Sequence, residues 1–420
     1  MKKSTHRIGT PAVRLASVAH WRAKLGLAVC FSALAFGAQM SAASVTYIVG
    51  TCKSGTQFAS IQSALDASPA PNTVEVCPGV YSEQVTITKP VSLEGITASN
   101  GARVRIFLPA GYTANATLAE VGEDNIPAVA QVYVNNVSGG TVNLTNLDVD
   151  GSGFSMNDIH FVGILFQGSS GTINRVITAY QNNSNPGATG AYGFGMWIQG
   201  SSSKPSVTVE NSSMHDFGSI GIDATGIAES PSDLTVTIKN NAAFSTSTTS
   251  STTGIYLDLG SNPTVSGNVV SGVEEGIYAG SFLGSITGNT IVGTEYGIEL
   301  NADGASVKSN NIFESASYGM YVDTNVQTSL VQDNIIRTVA PGGGGIGISL
   351  GCNLKISPGK VNSNTIMDSD TGYGYAPVGF AGSNTYAGVY TPIATCTSES
   401  VSSRGSTPAR LKLLGRFRKQ

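Results

Sequence analysis

The sequence predicts an all-β fold, a right-handed parallel β-helix with a short N-terminal capping helix. Three observations carry this: two interleaved motifs that recur along the chain, a composition rich in glycine and poor in charge, and no helical period in the repeating part. Of 420 residues, 51 are Gly and only 12% are charged. That balance suits short strands joined by tight turns. The hydrophobic share of 40% is enough for a core.

The first motif is Gly, then Ile or Met, opening a short apolar strand. It begins at Gly163, Gly195, Gly221, Gly254, Gly276, Gly297, Gly319 and Gly347, with spacings of 32, 26, 33, 22, 21, 22 and 28 residues. The second is an aliphatic residue, two others, Asn, one other, and an aliphatic residue. It is centred on Asn268, Asn289, Asn310, Asn334 and Asn364, with looser copies at 207–213 and 236–242. Two interleaved series imply two strands and two turns per repeat. One repeat cannot bury a core alone, but a stack can. A period of roughly 22 residues is too short for a propeller blade and fits one solenoid coil. Equivalent strands would then pair about 4.8 Å apart in parallel sheets. The recurring Asn is expected to ladder through its side-chain amide, and the Gly before each strand to supply a bend. Coils of 28–33 residues carry turn insertions, which usually build the ligand face.

The two ends differ from the repeats. Lys2, Lys3, Arg7, Arg14, Arg22 and Lys24 precede or flank an apolar run at 25–40, followed by Ser41, Ala42 and Ala43. This reads as a secretory signal peptide at 1–43, and the run is short for a membrane span. The β-helix domain is expected at 44–400. The last 20 residues hold 6 basic and no acidic residues and are expected to be a disordered tail, with attachment to an anionic envelope surface as the alternative. Setting aside 12 basic residues at the two ends leaves 11 basic against 27 acidic, a net charge of −16. An acidic body argues against nucleic acid as a partner. It also disfavours a purely electrostatic grip on an acidic polysaccharide, unless a cation bridges the two. Cys52, Cys77, Cys352 and Cys396 form one pair near each end, and in an exported protein Cys52–Cys77 and Cys352–Cys396 are the expected disulfides.

Within 58–68, Phe58, Ile61, Ala64 and Leu65 fall on one helical face. Strands resume over 72–96, and a helix at the first coil would block an open sheet edge. Residues 97–140 show little periodicity and are read as an insertion or irregular coils.

The alternating Gly-Ile and Asn-x-Ile/Val series over about 160–370 resembles the parallel β-helix repeats of the pectin-lyase-like superfamily. Phe58, Ile61, Gln62, Ala64, the run Gly79, Val80, Tyr81, Ser82, Glu83, and then Ile87 and Leu93 resemble the first coil of pectinesterases. The resemblance implies the fold. It implies no particular chemistry, because the catalytic motifs of pectinesterases, polygalacturonases and pectate lyases are missing from this sequence. Function must therefore be argued from a site.

Three candidate sites follow. Asp148, Asp150, Asp158, His160, Arg175, His215, Asp216 and Asp223 lie in the long coils, where stacking brings distant positions to one face. Two carboxylates flanking a sugar bond support glycoside hydrolysis, a His beside a carboxylate serves as a general base, and Arg175 would neutralise a uronate. The bland alternative is that Asp, Asn and Gly fill turns. Tyr180, Tyr192, Phe194 and Trp197 form a candidate aromatic platform for sugar faces, against the alternative of interior packing. Asp148 and Asp150, with turn carbonyls, are a Ca²⁺ candidate; no other cofactor or metal is expected. The reading is an exported, monomeric solenoid that binds a polysaccharide, pectin-like or another cell-wall glycan, and cleaves or modifies it as a lyase, glycosidase or esterase. The competing class is a non-catalytic surface, adhesion or structural protein. No transmembrane segment is expected after signal cleavage.

Overall fold

The computed structural model describes residues 44–117, 127–154, 156, 159–182, 193–227, 233–246, 252–280, 284–323, 326–350, 356–377, 380 and 382–396. Among these residues the chain winds through three parallel sheets of 13, 12 and 13 strands, here called sheets A, B and C. Each regular coil visits them in turn: Ser285–Thr287 in A, Thr290–Val292 in B, Tyr296–Leu300 in C, then Ser306–Lys308 back in A. This is a right-handed parallel β-helix. Each coil therefore holds three strands, where the two motif series predict two. The Asn motif straddles a corner: in ITGNTI, Ile286 belongs to sheet A and Ile291 to sheet B.

The corner explains the motif. The residue before each buried Asn takes a left-handed backbone: Gly267, Gly288, Ser309, Asp333 and Ser363 have φ of 65°, 65°, 54°, 57° and 55°. The Asn that follows turns inward and stacks. Asn268 Nδ2 donates to Asn289 Oδ1 at 2.9 Å, Asn289 to Asn310 at 3.0 Å, Asn310 to Asn334 at 3.0 Å and Asn334 to Asn364 at 2.9 Å. Each amide also donates to a sheet A carbonyl one coil back, as Asn289 does to Val265 O at 3.1 Å. The ladder extends beyond the motif to Asn241 and Asn384. Ser212 continues it, its N–H donating to Asn241 Oδ1 at 2.9 Å.

The core fills the inside of the coils. Ile277, Ile298, Met320 and Ile348 stack from sheet C, and Ile291, Ile312 and Ile336 from sheet B, all 0% exposed. Period-two alternation sends every second side chain inward and the next one out.

The N-terminal end is capped as expected, but by a shorter helix. It spans Ile61–Leu65, and Phe58 belongs to the strand Gln57–Phe58. Ser60 ends the extended segment by accepting from Ser63 N at 3.2 Å. Glu83 reaches back and accepts from the N–H groups of Ile61 and Gln62 at 2.9 Å each, while Gln62 Oε1 accepts from Thr86 N at 2.7 Å. Ile61, Ala64 and Leu65 pack on the core. Cys52 and Cys77 are disulfide-bonded across a separation of 25 residues. Cys352 lies outside the described residues. Residues 97–140 contain a coil rather than an insertion alone: Val104–Phe107 joins sheet B and Pro127–Asn135 joins sheet C.

Candidate functional site

The residues singled out in the long coils fall on two different faces. Asp148, Asp150, His215 and Asp216 lie on or beside sheet B, whereas His160, Trp197 and Asp223 lie on sheet C. Asp158 and Tyr192 lie outside the described residues.

On sheet B the acids already have partners. Arg103 Nε donates to Asp148 Oδ1 at 2.6 Å. Arg105 donates to Asp150 Oδ2 through Nε at 2.8 Å and also through Nη2, and Ser152 N donates to Asp150 Oδ1 at 2.7 Å. Burial raises the Asp148 carboxyl above its usual range despite the Arg103 contact. Arg175 is exposed and occupies the left-handed position of the A-to-B corner, with φ 55°. Tyr180 and Asp216, with φ 61° and 52°, follow sheet B strands at the corner position that Gly272 and Gly293 fill in later coils. His215 Nδ1 lies 2.9 Å from Asp216 Oδ2, and Thr246 donates to Asp216 Oδ1 at 2.7 Å. Burial raises the Asp216 carboxyl, but these hydrogen bonds outweigh it and hold the group below its usual range. The His215 ring stacks on Phe244 at 5.3 Å and meets the edge of Tyr180 at 5.5 Å.

On sheet C the early coils are dry. His160, Phe194 and Trp197 are 2%, 2% and 1% exposed and touch one another, with Phe194 and Trp197 centroids 4.4 Å apart. Phe194 and Trp197 belong to an apolar cluster on the outside of the sheet that includes Val162, Leu165 and Ala116 of the strand Ala116–Thr117. Trp197 thus packs in a second small core and does not offer an open ring face. Among the described residues no group of three or more His, Cys, Asp or Glu is placed to hold a metal ion.

Further along sheet C the outward column changes character. In register it runs Trp197, Asp223, Tyr256, Tyr278, Glu299, Tyr321. A second outward column carries Thr253, Glu275, Tyr296 and Tyr318. Tyr256 and Tyr278 stack at 4.7 Å with rings 5° from parallel, and Tyr296 stacks on Tyr318 at 5.4 Å. The acids are held in place: Thr225 donates to Asp223, Tyr256 OH to Asp258 Oδ2 at 3.1 Å, Thr253 to Glu275 Oε2 at 3.1 Å, and Asn301 Nδ2 to Glu299 Oε1 at 2.9 Å. Asp223, Glu275 and Glu299 are buried at 2%, 4% and 6% exposure.

Tyr278 sits at the centre of this strip. Burial, then the charges of Asp258, Glu299 and Glu275, push its phenol far above the usual range, outweighing a hydrogen bond with Asn301. Tyr321 is pushed up to about 12 by burial, Asp323 and Glu299. A phenol that stays protonated among carboxylates remains a hydrogen-bond donor; the groups able to take up or give a proton here are the carboxylates beside it.

Of the expected residues, Asp223 alone belongs to this strip. Four others in it were legible as the residue after Ile or Met in each Gly motif, namely Tyr256, Tyr278, Glu299 and Tyr321. Period-two alternation puts that residue outside whenever the Ile is inside, so the repeat itself carried the signal.

A family model for the right handed beta helix region matches residues 130–307 and 251–388, more than half of the chain. No curated protein matches the sequence. Among solved structures, the A-module of the Azotobacter vinelandii mannuronan C-5 epimerase AlgE4 is 16% identical, with a TM-score of 0.50, over 80% of this chain and 93% of that one. The GH136 lacto-N-biosidase from Eubacterium ramulus is 10% identical, with a TM-score of 0.50, over 81% of this chain and 67% of that one. These likenesses concern the fold. With three parallel sheets, an inward aliphatic stack and a matching repeat model, the chain belongs to the right-handed β-helix family.

Proposed function

We propose that the protein is exported and binds a polysaccharide along the outer face of sheet C, and that the carboxylates around Tyr278 process it by acid–base catalysis of the glycosidase type. One observation carries the reading: Tyr278, stacked on Tyr256, faces Asp258, Glu275 and Glu299 on a sheet exterior. Sugar C–H faces pack on aromatic rings, and paired carboxylates serve glycosidic bonds as acid, base or nucleophile. Both neighbours of similar fold are named for reactions on saccharides, an epimerase and a lacto-N-biosidase, which supports the class of ligand. Export rests on the signal at 1–43 and is supported by the Cys52–Cys77 disulfide, a bond typical of oxidising compartments. The β-helix domain is then 44–400, with the basic 401–420 segment as a tail.

The test is retention and turnover of oligosaccharides by the processed protein. Tyr278→Phe should lower turnover by about 10²-fold or more, with thermal unfolding unchanged. His215→Ala and Asp216→Ala should leave it intact. Loss in the His215 and Asp216 variants with full activity in Tyr278→Phe would move the chemistry to sheet B. Retention without turnover would leave a binding solenoid, and neither retention nor turnover would end the glycan reading.

A further inference from the structure

The outer face of sheet B carries a patch of a different kind from the strip on sheet C. In register, Ala179, His215, Phe244 and Ser271 form one outward column, and Tyr180 and Asp216 follow Ala179 and His215 at the corner. Tyr180 and Phe244 are each 38% exposed; among the described residues Tyr390 is the only other aromatic side chain open to this degree. The His215 ring covers one face of Phe244, 5.3 Å away and 11° from parallel. On the other side of Phe244 the column continues with Ser271, too small to cover the second face. His215 Nδ1 is engaged by Asp216, which Thr246 holds in turn. Two polar atoms remain. His215 Nε2 and the Tyr180 hydroxyl have no hydrogen-bond partner among the described residues, and neither is buried. Asp216, held below the usual carboxylate range, is ionised at neutral pH and accepts from Nδ1–H, so Nε2 of a neutral imidazole is then an acceptor. Tyr180 also keeps a left-handed backbone, φ 61°, where Gly272 and Gly293 serve in later coils. That conformation is costly for a bulky side chain, and such outliers concentrate at functional positions.

We propose that Tyr180, His215 and Phe244 form a second, non-catalytic saccharide site on sheet B, which takes two consecutive units of an uncharged hexose chain. One unit packs its C–H face on the open face of Phe244, in the space above Ser271. The neighbouring unit gives a hydroxyl to His215 Nε2 and meets the Tyr180 hydroxyl, which both donates and accepts. A bare ring face rimmed by an acceptor and a hydroxyl suits a ligand with an apolar face and hydroxyls at its edge, as a pyranose has. The fixed charge of the patch is the Asp216 carboxylate, and no Lys or Arg contacts its side chains. A uronate is therefore repelled, and a neutral sugar is not. The site stands whether or not sheet C is the catalytic face.

From Ser44 onward the sequence holds two His, the buried His160 and His215, so the imidazole NMR signals of the His-labelled processed chain report on this patch directly. The chain is titrated with cellohexaose, mannohexaose and galactohexaose, and with hexagalacturonate as the charged comparison. The His215 signals should move with at least one neutral hexaose, while those of His160 stay in place. Phe244→Ala should weaken that binding at least about tenfold, and Tyr180→Phe several-fold. Ser271→Leu, which covers the open ring face, should act as Phe244→Ala does and serves in its place should that variant not fold. Tyr278→Phe should leave the His215 response unchanged. No movement of His215 with any neutral hexaose would overturn the site, and so would a response lost in Tyr278→Phe but kept in Phe244→Ala. A stronger response to hexagalacturonate would overturn the neutral ligand. Signals that move on dilution of the protein, and not on addition of saccharide, would assign the patch to a second copy of the chain and overturn the proposal.

Discussion

At the scale of single residues, the buried asparagines show how a side chain can stand in for backbone. At each A-to-B corner the strand hydrogen bonds stop, and a buried N–H or C=O without a partner is costly. Asn289 accepts from Asn268 N at 3.0 Å and from Asn268 Nδ2 at 2.9 Å, and gives its own two protons to Val265 O and Asn310 Oδ1. All of its polar capacity is used at 0% exposure. Asn289→Ala would strand these partners at about 1–3 kcal/mol for each unsatisfied group, so the expected loss is at least about 2 kcal/mol. The denaturant midpoint should fall accordingly. A fall no larger than that caused by a surface Asn→Ala change, for example at Asn262, would refute the ladder as a source of stability. The motif Asn residues were readable from the sequence because they recur. Asn241 and Ser212, which extend the ladder, were not singled out, since a looser copy obeys the same geometry without matching the same pattern.

At the scale of elements, the motif Gly lies inside the sheet C strand, as the second residue of Glu275–Ala279, Tyr296–Leu300 and Tyr318–Val322, and does something other than bend the chain. None of Gly276, Gly297 or Gly319 has a positive φ. A Cβ on Gly276 would lie 2.4 Å from Gly297 O, and a Cβ on Gly297 would lie 2.3 Å from Gly319 O and 2.5 Å from Ile312 Cγ2. The Gly residues stack coil on coil, and the space is filled by the next coil's backbone. Gly297→Ala should therefore force neighbouring coils apart, where an exposed Gly such as Gly288, with nothing within 4 Å of its would-be Cβ, meets no such clash. A drop of several degrees in the unfolding temperature is expected for Gly297→Ala, measured by the loss of β-sheet circular dichroism; no drop would mean that the coils have slack. The N-terminal helix gives a related lesson. Its apolar pattern suggests a start near Phe58, but Ser60 caps the helix and Glu83 anchors its first turn. A capping interaction from another strand set the boundary, and an apolar period does not reveal it.

At the scale of the whole molecule, each coil touches only its neighbours, so stability is nearly a sum along one axis. The N-terminal end is closed by the helix and the Cys52–Cys77 disulfide. The C-terminal strands Thr385–Ala387 and Thr391–Thr395 are largely exposed. Amide exchange should accordingly be slowest in the central coils and fastest at Thr385–Thr395, because local opening follows burial and contact density. Equal protection from end to end would mean that the solenoid opens only as a unit. By itself, the sequence determined the β-helix, the inward Ile and Val positions and the Asn ladder, since these recur or follow from local alternation, and the Cys52–Cys77 pairing, since the two cysteines lie 25 residues apart near one end. Only the tertiary structure decided that each coil holds three strands, that His215 and Asp223 lie on different sheets, and that Trp197 is packed away while Tyr278 is ringed by carboxylates. The physical reason is that a coil corner turns the outward direction from one sheet to the next. Residues close in sequence can then face different ways, and residues roughly 22 positions apart stand side by side.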